Sequence, residues 1–206
     1  MSSVSASNRF PPLLASIVPI DGLLRTGLLA VLGSMVLALS AKIQIPFWPV
    51  PMTMQSLVVL MLGMAYGSRL ALGTLLLYLA EGAAGLPVFA GTNAGFAYMI
   101  GPTGGYLIGF VLAAVLIGCL AERGWDRSPL KALAAMTVGH VVVFVPGVAW
   151  LALLVGFDKA VMLGLTPFWG ATLLNTVSKV LFRKHLELSP YFRSDGELLE
   201  FTPATA

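Results

Sequence analysis

The chain has 206 residues, of which 58% are hydrophobic and only 10% charged, with a formal net charge of +3 and a mean hydropathy of +0.91. So little charge cannot cover a water-facing surface, which excludes an ordinary soluble globular domain. The apolar residues fall into several runs, so the expected class is an all-α integral membrane bundle in a lipid bilayer, and the small positive excess reports orientation, with no nucleic-acid partner implied.

Residues 1–20 lack the charged start, short apolar core and small-residue cleavage site of a removable signal, and are expected to form a cytoplasmic tail. A membrane-crossing helix needs about 20 apolar residues. Leu23 to Ala41 meets that length and is the first predicted span. Within it Ala30, Ser34 and Ala38 recur every four residues, beside Gly27 and Gly33, so small side chains line one helical face. Such a stripe serves either packing against a helix of the same chain or docking of a partner membrane subunit, and the sequence leaves both open. Ile45 to Met52, IPFWPVPM, must be a loop, because each proline removes a backbone donor and disfavours the helical region for the residue before it. Thr53 to Ala84 is long enough for two short crossings, and Gly67, Ser68 and Arg69 offer the polar turn at which to divide it.

Gly85 to Ile100, GLPVFAGTNAGFAYMI, mixes glycine, proline, threonine and asparagine with aromatics and predicts a long structured loop. A fourth span is expected from about Gly105 to Leu120. A fifth runs from Ala132 to Val155, interrupted at Pro146-Gly147, and a sixth from near Thr166 to about Phe182. Residues 21–186 then form one six-helix domain, followed by a polar cytoplasmic tail over 187–206. With both termini cytoplasmic, ten Lys and Arg side chains lie inside: Arg9, Arg25, Arg69, Arg123, Arg127, Lys131, Lys179, Arg183, Lys184 and Arg193. Only Lys42 and Lys159 fall outside, a bias in keeping with the preference of positive charge for cytoplasmic loops. The same orientation brings the Pro-rich and Gly/Asn loops together on the outer face, where a site made of loops could form.

Cys119 is the single cysteine, so neither an intrachain disulfide nor a cysteine-based metal site is expected. The glycines between Gly91 and Gly105 permit close backbone approach to a ligand, but the Lys-Ser/Thr ending of a nucleotide-binding loop is missing, so ATP hydrolysis is not expected here. Asn93 offers a donor and an acceptor beside Thr92, Phe89, Phe96 and Tyr98, which suits a neutral amide-like or ureido ligand, or else a simple turn cap. Glu81 reads as a hydrated helix-end carboxylate that needs no partner, and His140 as a neutral packing residue without a second histidine to make a metal site. Thr172 and Asn175 share a face of the sixth span and could line a pocket or hold helices together. Glu81, His140 and Asp158 share no motif, so an intramembrane enzyme is the weaker reading; no catalytic residue, cofactor or metal is assigned.

From about Leu23 to Phe182 the chain resembles the BioY family, the biotin-specific substrate-binding subunits of energy-coupling-factor (ECF) transporters. The resemblance rests on PVPMTMQ (Pro49 to Gln55), GLPVFAG (Gly85 to Gly91), GPTGGYL (Gly101 to Leu107), Pro146-Gly147 with Trp150-Leu151, GFDKA (Gly156 to Ala160) and Pro167-Phe168. It implies a six-helix fold in the bacterial cell membrane and an outer biotin pocket. It also implies a complex with a coupling membrane subunit and two ATP-binding subunits, with the Ala30, Ser34 and Ala38 stripe as coupling face; a homo-oligomer stays open. Thr92 and Asn93 carry over as polar ligand contacts and Thr53 and Gln55 as the first-loop border of the pocket; Phe89 and Tyr106 are further candidate substrate-binding residues. One departure stands out: where the family shows Gly-Asp and then Lys at the start of the sixth helix, this chain has Ala171, Thr172 and Asn175. A ligand carboxylate then needs another partner, for which Lys42 and Lys159 have the better outer-side position. A membrane scaffold with a degenerate pocket is the alternative reading.

Overall fold

The computed structural model describes residues 22–166. The two expected tails and the expected sixth span, with Thr172 and Asn175, lie outside the described residues. Among the described residues four helices are long and apolar enough to cross a membrane: α1 (Leu23–Lys42), α2 (Gln55–Ala83), α4 (Gly104–Ala121) and α5 (Pro129–Val155). Between them lie a two-strand antiparallel pair, β1 (Gln44–Ile45) and β2 (Met52–Thr53), a single helical turn, α3 (Phe96–Met99), and a 3-10 turn at Trp125–Arg127. A short helix, α6 (Phe157–Gly164), follows α5.

Helix α2 is not straight. Gly67 sits at φ 75° and ψ 174°, a conformation that only glycine adopts without strain. Gln55 and Tyr78 would be about 34 Å apart on a continuous helix rising ~1.5 Å per residue. Their side chains instead meet in a 2.6 Å hydrogen bond. The segments 55–66 and 68–83 therefore run back on each other, and the reversal falls at the Gly67 to Arg69 break read from the sequence. Glu122, just past α4, caps the half-buried start of the second segment by accepting hydrogen bonds from the Ser68 amide (2.8 Å) and hydroxyl (2.7 Å).

Helix α4 is the centre of the bundle, packing most extensively on α2 and on α5. Small residues let the backbones approach: a Cβ at Gly118 would collide with the backbone at Gly67 and Ser68, and a Cβ at Gly105 would collide with the Pro146 carbonyl and Trp150. The interruption expected at Pro146-Gly147 does not occur, since α5 runs through it. Proline costs that turn one backbone hydrogen bond, and membrane helices tolerate the loss where neighbouring elements pack tightly, as Gly105 and the Tyr106 ring do here. Helix α5 also begins earlier than expected, with Pro129 in its first turn, where the missing N–H is no loss.

The Pro-rich stretch is the loop of a small hairpin, pinned by pairing Gln44 with Thr53 and Ile45 with Met52, a ladder the sequence did not announce. On α1, Ser34 is fully buried and donates to Glu81 Oε1 at 3.1 Å. That bond corrects the reading of Glu81 as a hydrated carboxylate without a partner: it lies against the small-residue face of α1, whose Gly33 abuts Thr74 and Tyr66. Ser34 thus serves packing within the chain, while Ala30 and Ala38 stay half-buried at its margins.

Candidate functional site

The loop ends of β2, α2, α4 and the 85–103 segment converge on one chain of polar groups. Thr53 Oγ1 donates to Gln55 Oε1 at 3.2 Å, Gln55 Nε2 donates to Tyr78 Oη at 2.6 Å, and Tyr78 donates to the Val88 carbonyl at 3.0 Å. Gln55 is 5% exposed. A buried amide of this kind costs free energy unless its donors and acceptors are satisfied, so the chain holds Gln55 in one orientation. Tyr106, 5% exposed, donates to the Gly164 carbonyl at 2.7 Å and sets its ring edge-on to Phe144 at 6.2 Å. Trp150 Nε1 ties α5 to the loop through the Gly101 carbonyl at 2.9 Å.

Of these groups Thr53, Gln55, Tyr106 and Phe144 line an inner cavity with a free volume of ≈ 40 Å³, room for roughly two or three waters. Its polar members are Thr53, Gln55, Ser56 and Thr103, and its apolar walls include Tyr98, Tyr106, Phe110, Val143 and Phe144. A wider outer cavity of ≈ 440 Å³ lies against the Pro-rich loop and is bordered by Gln44, Phe47 and Asn93. The two cavities share Pro51, Tyr98 and Thr103 and so adjoin along these residues. Burial pushes the Tyr98 phenol up from 10.0, against a smaller opposing pull from Thr103, so at neutral pH it is an uncharged donor. Neutral donors and acceptors on an aromatic wall suit a compact, uncharged polar head on an apolar body.

The sequence-derived site residues separate into groups. Thr53, Gln55 and Tyr106 meet at the inner cavity. Asn93 borders the outer one and spends one amide donor on the Ala90 carbonyl at 2.7 Å, capping its own turn. Phe89 is 1% exposed and packs between Tyr78 and Tyr98, with centroids at 5.6 and 5.0 Å; it supports the wall rather than lining either cavity. Thr92 is exposed and lines neither. Lys159 is exposed on α6, and Lys42 is engaged by the 85–95 loop. His140 packs within α5, its Nδ1 2.8 Å from the Met136 carbonyl. Among the described residues no group of three or more His, Cys, Asp or Glu could hold a metal. The inner-cavity residues Ser56, Phe110, Val143 and Phe144 were not singled out from the sequence. The only signal available was that Phe110 and Val143 lie one helical turn from Tyr106 and Pro146, and in helices apolar on every side that spacing does not mark a face.

A chamber built from loops and helix ends on a bundle of apolar helices defines a membrane-embedded small-molecule binding protein. Comparison with known proteins narrows this. The BioY family profile matches residues 11–189. The chain is 35% identical over 150 residues to the probable biotin transporter BioY of Pyrococcus horikoshii, covering 73% of this chain and 88% of that protein. It is 38% identical over 156 residues to the biotin transporter BioY of Thermotoga maritima, covering 73% and 89% respectively. The crystal structure of an S-component for biotin from an ECF-type ABC transporter superposes with a TM-score of 0.60 at 23% identity, over 79% of this chain and 90% of that one, and shares its fold. The chain belongs to the BioY family. It is a multi-pass membrane protein.

Proposed function

We propose that this chain is the substrate-capture subunit of a vitamin uptake transporter, taking biotin from the outer side and releasing it inward with ECF partners. The observation that carries the reading is the inner cavity of a BioY-family chain, where Thr53, Gln55, Ser56 and Thr103 set neutral hydrogen-bonding groups against Tyr98, Tyr106 and Phe144. The ureido ring of biotin presents two N–H donors and one carbonyl on an otherwise apolar bicycle, the complement of such a lining. The cavity as it stands is smaller than that ring, so capture includes displacement of the Pro51, Tyr98 and Thr103 wall. The tail carboxylate then faces the outer cavity, near the side-chain amides of Gln44 and Asn93.

The topology that goes with this reading has six spans with both termini cytoplasmic: α1, the two segments of α2, α4, α5 and a sixth across Thr166 to Phe182, with Thr172 and Asn175 on its ligand side. The Lys and Arg distribution supports it. The chain catalyses no covalent step, as its transporter-named relatives accord with. A coupling membrane subunit, docked along the Ala30 and Ala38 margin of α1, and two ATP-binding subunits supply the energy. Native mass spectrometry of protein purified from biotin-fed cells tests the substrate: a bound species of the mass of biotin is expected. Folded protein that carries none, or that reproducibly carries a different molecule, contradicts the assignment.

A further inference from the structure

Lys42 ends α1, and its ammonium donates to three backbone carbonyls of one loop: Pro87, Phe89 (2.8 Å) and Gly91 (2.6 Å). An ammonium has three donors, so all are used. Among the described residues no other hydrogen bond reaches these three oxygens. The residues so anchored frame the binding site: Phe89 stacks beneath Tyr98, Ala90 lines the inner cavity, and Asn93 borders the outer one. The loop is otherwise tied to the second segment of α2 at two points, Tyr78 Oη donating to the Val88 carbonyl (3.0 Å) and Gly95 N–H donating to the Gly82 carbonyl (2.7 Å), with the Phe89 ring buried between them. The bonds within residues 86–93 are short-range turns, such as Asn93 N–H to the Ala90 carbonyl at 3.3 Å, and Gly91 and Gly95 both sit at positive φ.

We propose that Lys42 is a positioning residue of the ligand site: its ammonium gathers the Pro87, Phe89 and Gly91 carbonyls and so sets the loop wall of both cavities, rather than meeting the ligand carboxylate. Charge-assisted hydrogen bonds are the stronger kind, and three converging on one cation fix the Pro87 to Gly91 stretch, whose carbonyls the other anchors of the loop leave unbonded. The placement also accounts for a cation at the end of α1, where the helix dipole favours positive charge.

The binding arm of the test rests on the biotin reading; the exchange arm does not. Wild type, Lys42→Ala and Lys42→Met, which keeps the aliphatic stem should the alanine variant fail to fold, are compared by amide hydrogen exchange and by affinity for biotin and for neutral biotinamide. Exchange over residues 85–95 is expected to quicken by roughly tenfold or more while the amides of α4 and α5 keep their protection. Biotin and biotinamide are expected to weaken by the same factor, roughly tenfold. Unchanged exchange in the loop overturns the proposal, and so does loss of biotin affinity alone, which is the signature of an ion pair with the ligand. A wild type that binds neither ligand removes the biotin reading, and the exchange result still decides the role of Lys42.

Discussion

Gly105→Leu is expected to eliminate measurable biotin binding and to lower the midpoint of thermal unfolding in detergent by roughly 5–10 °C. The leucine Cβ would lie on the Pro146 carbonyl and the Trp150 Cβ, atoms on the backbone or one bond from it, so no side-chain rotation relieves the overlap. Helix α5 has to move away from α4. That movement strains the Trp150 to Gly101 bond and carries Val143 and Phe144 away from Tyr106, opening the floor of the inner cavity. Overpacking of this kind costs about 1–3 kcal/mol and occasionally more. Gly73→Ala is the matched control: nothing lies within 4 Å of the added carbon, and alanine favours the helix, so stability and binding should stay at wild-type levels. Thermal unfolding and ligand titration on the two variants separate a tight helix crossing from a general intolerance of larger residues.

Gln55→Leu is the second large effect. The substitution nearly preserves volume but removes both the donor to Tyr78 and the acceptor for Thr53, along with the buried amide on the wall of the inner cavity. Tyr78 retains the Val88 carbonyl as its acceptor, so the fold loses one link of the chain rather than the whole of it. A ligand whose polar head is left facing an unmatched wall loses the worth of a hydrogen bond and also bears its desolvation, about 1–3 kcal/mol, or roughly 10- to 100-fold in affinity. Titration should show that loss with a modest fall in unfolding temperature. Tyr78→Phe, which removes the hydroxyl behind Gln55 but leaves the amide in place, should weaken binding less. Equal losses in the two variants would make the link behind Gln55, rather than its amide at the cavity, the source of the effect.

Much of the fold was legible because it is written in backbone chemistry. Proline at 46, 49 and 51 could only be a loop, and Gly67 beside Ser68 and Arg69 was the one place where a 29-residue apolar run could turn back. The extent of α4 and the C-terminal end of α5 followed from their length in apolar residues, while α5 starts three residues before the expected Ala132. Features that depend on what packs against what were not legible. Pro146 reads as a break unless the close approach of Gly105 is known, and Glu81 reads as solvated unless Ser34 is seen beneath it. The pairing of β1 with β2 and the short α6 carry too few residues to leave a pattern. At the site, the polar residues Thr53 and Gln55 stood out against an apolar background, whereas Phe110, Val143 and Phe144 did not, since α4 and α5 are apolar all round. Phe89 was read as a ligand contact because it is aromatic in a glycine-rich loop, and the same property sends it into the core beneath Tyr98.

The central claim is that this chain captures biotin by itself at the chamber formed by Thr53, Gln55 and Tyr106. Equilibrium titration of purified full-length protein with labelled biotin, in detergent or nanodiscs and without partner subunits, tests it most directly. The account predicts saturable binding of one biotin per chain with a dissociation constant of about 1 µM or below, competed by unlabelled biotin. Folded protein that shows no saturable binding at micromolar biotin would contradict it.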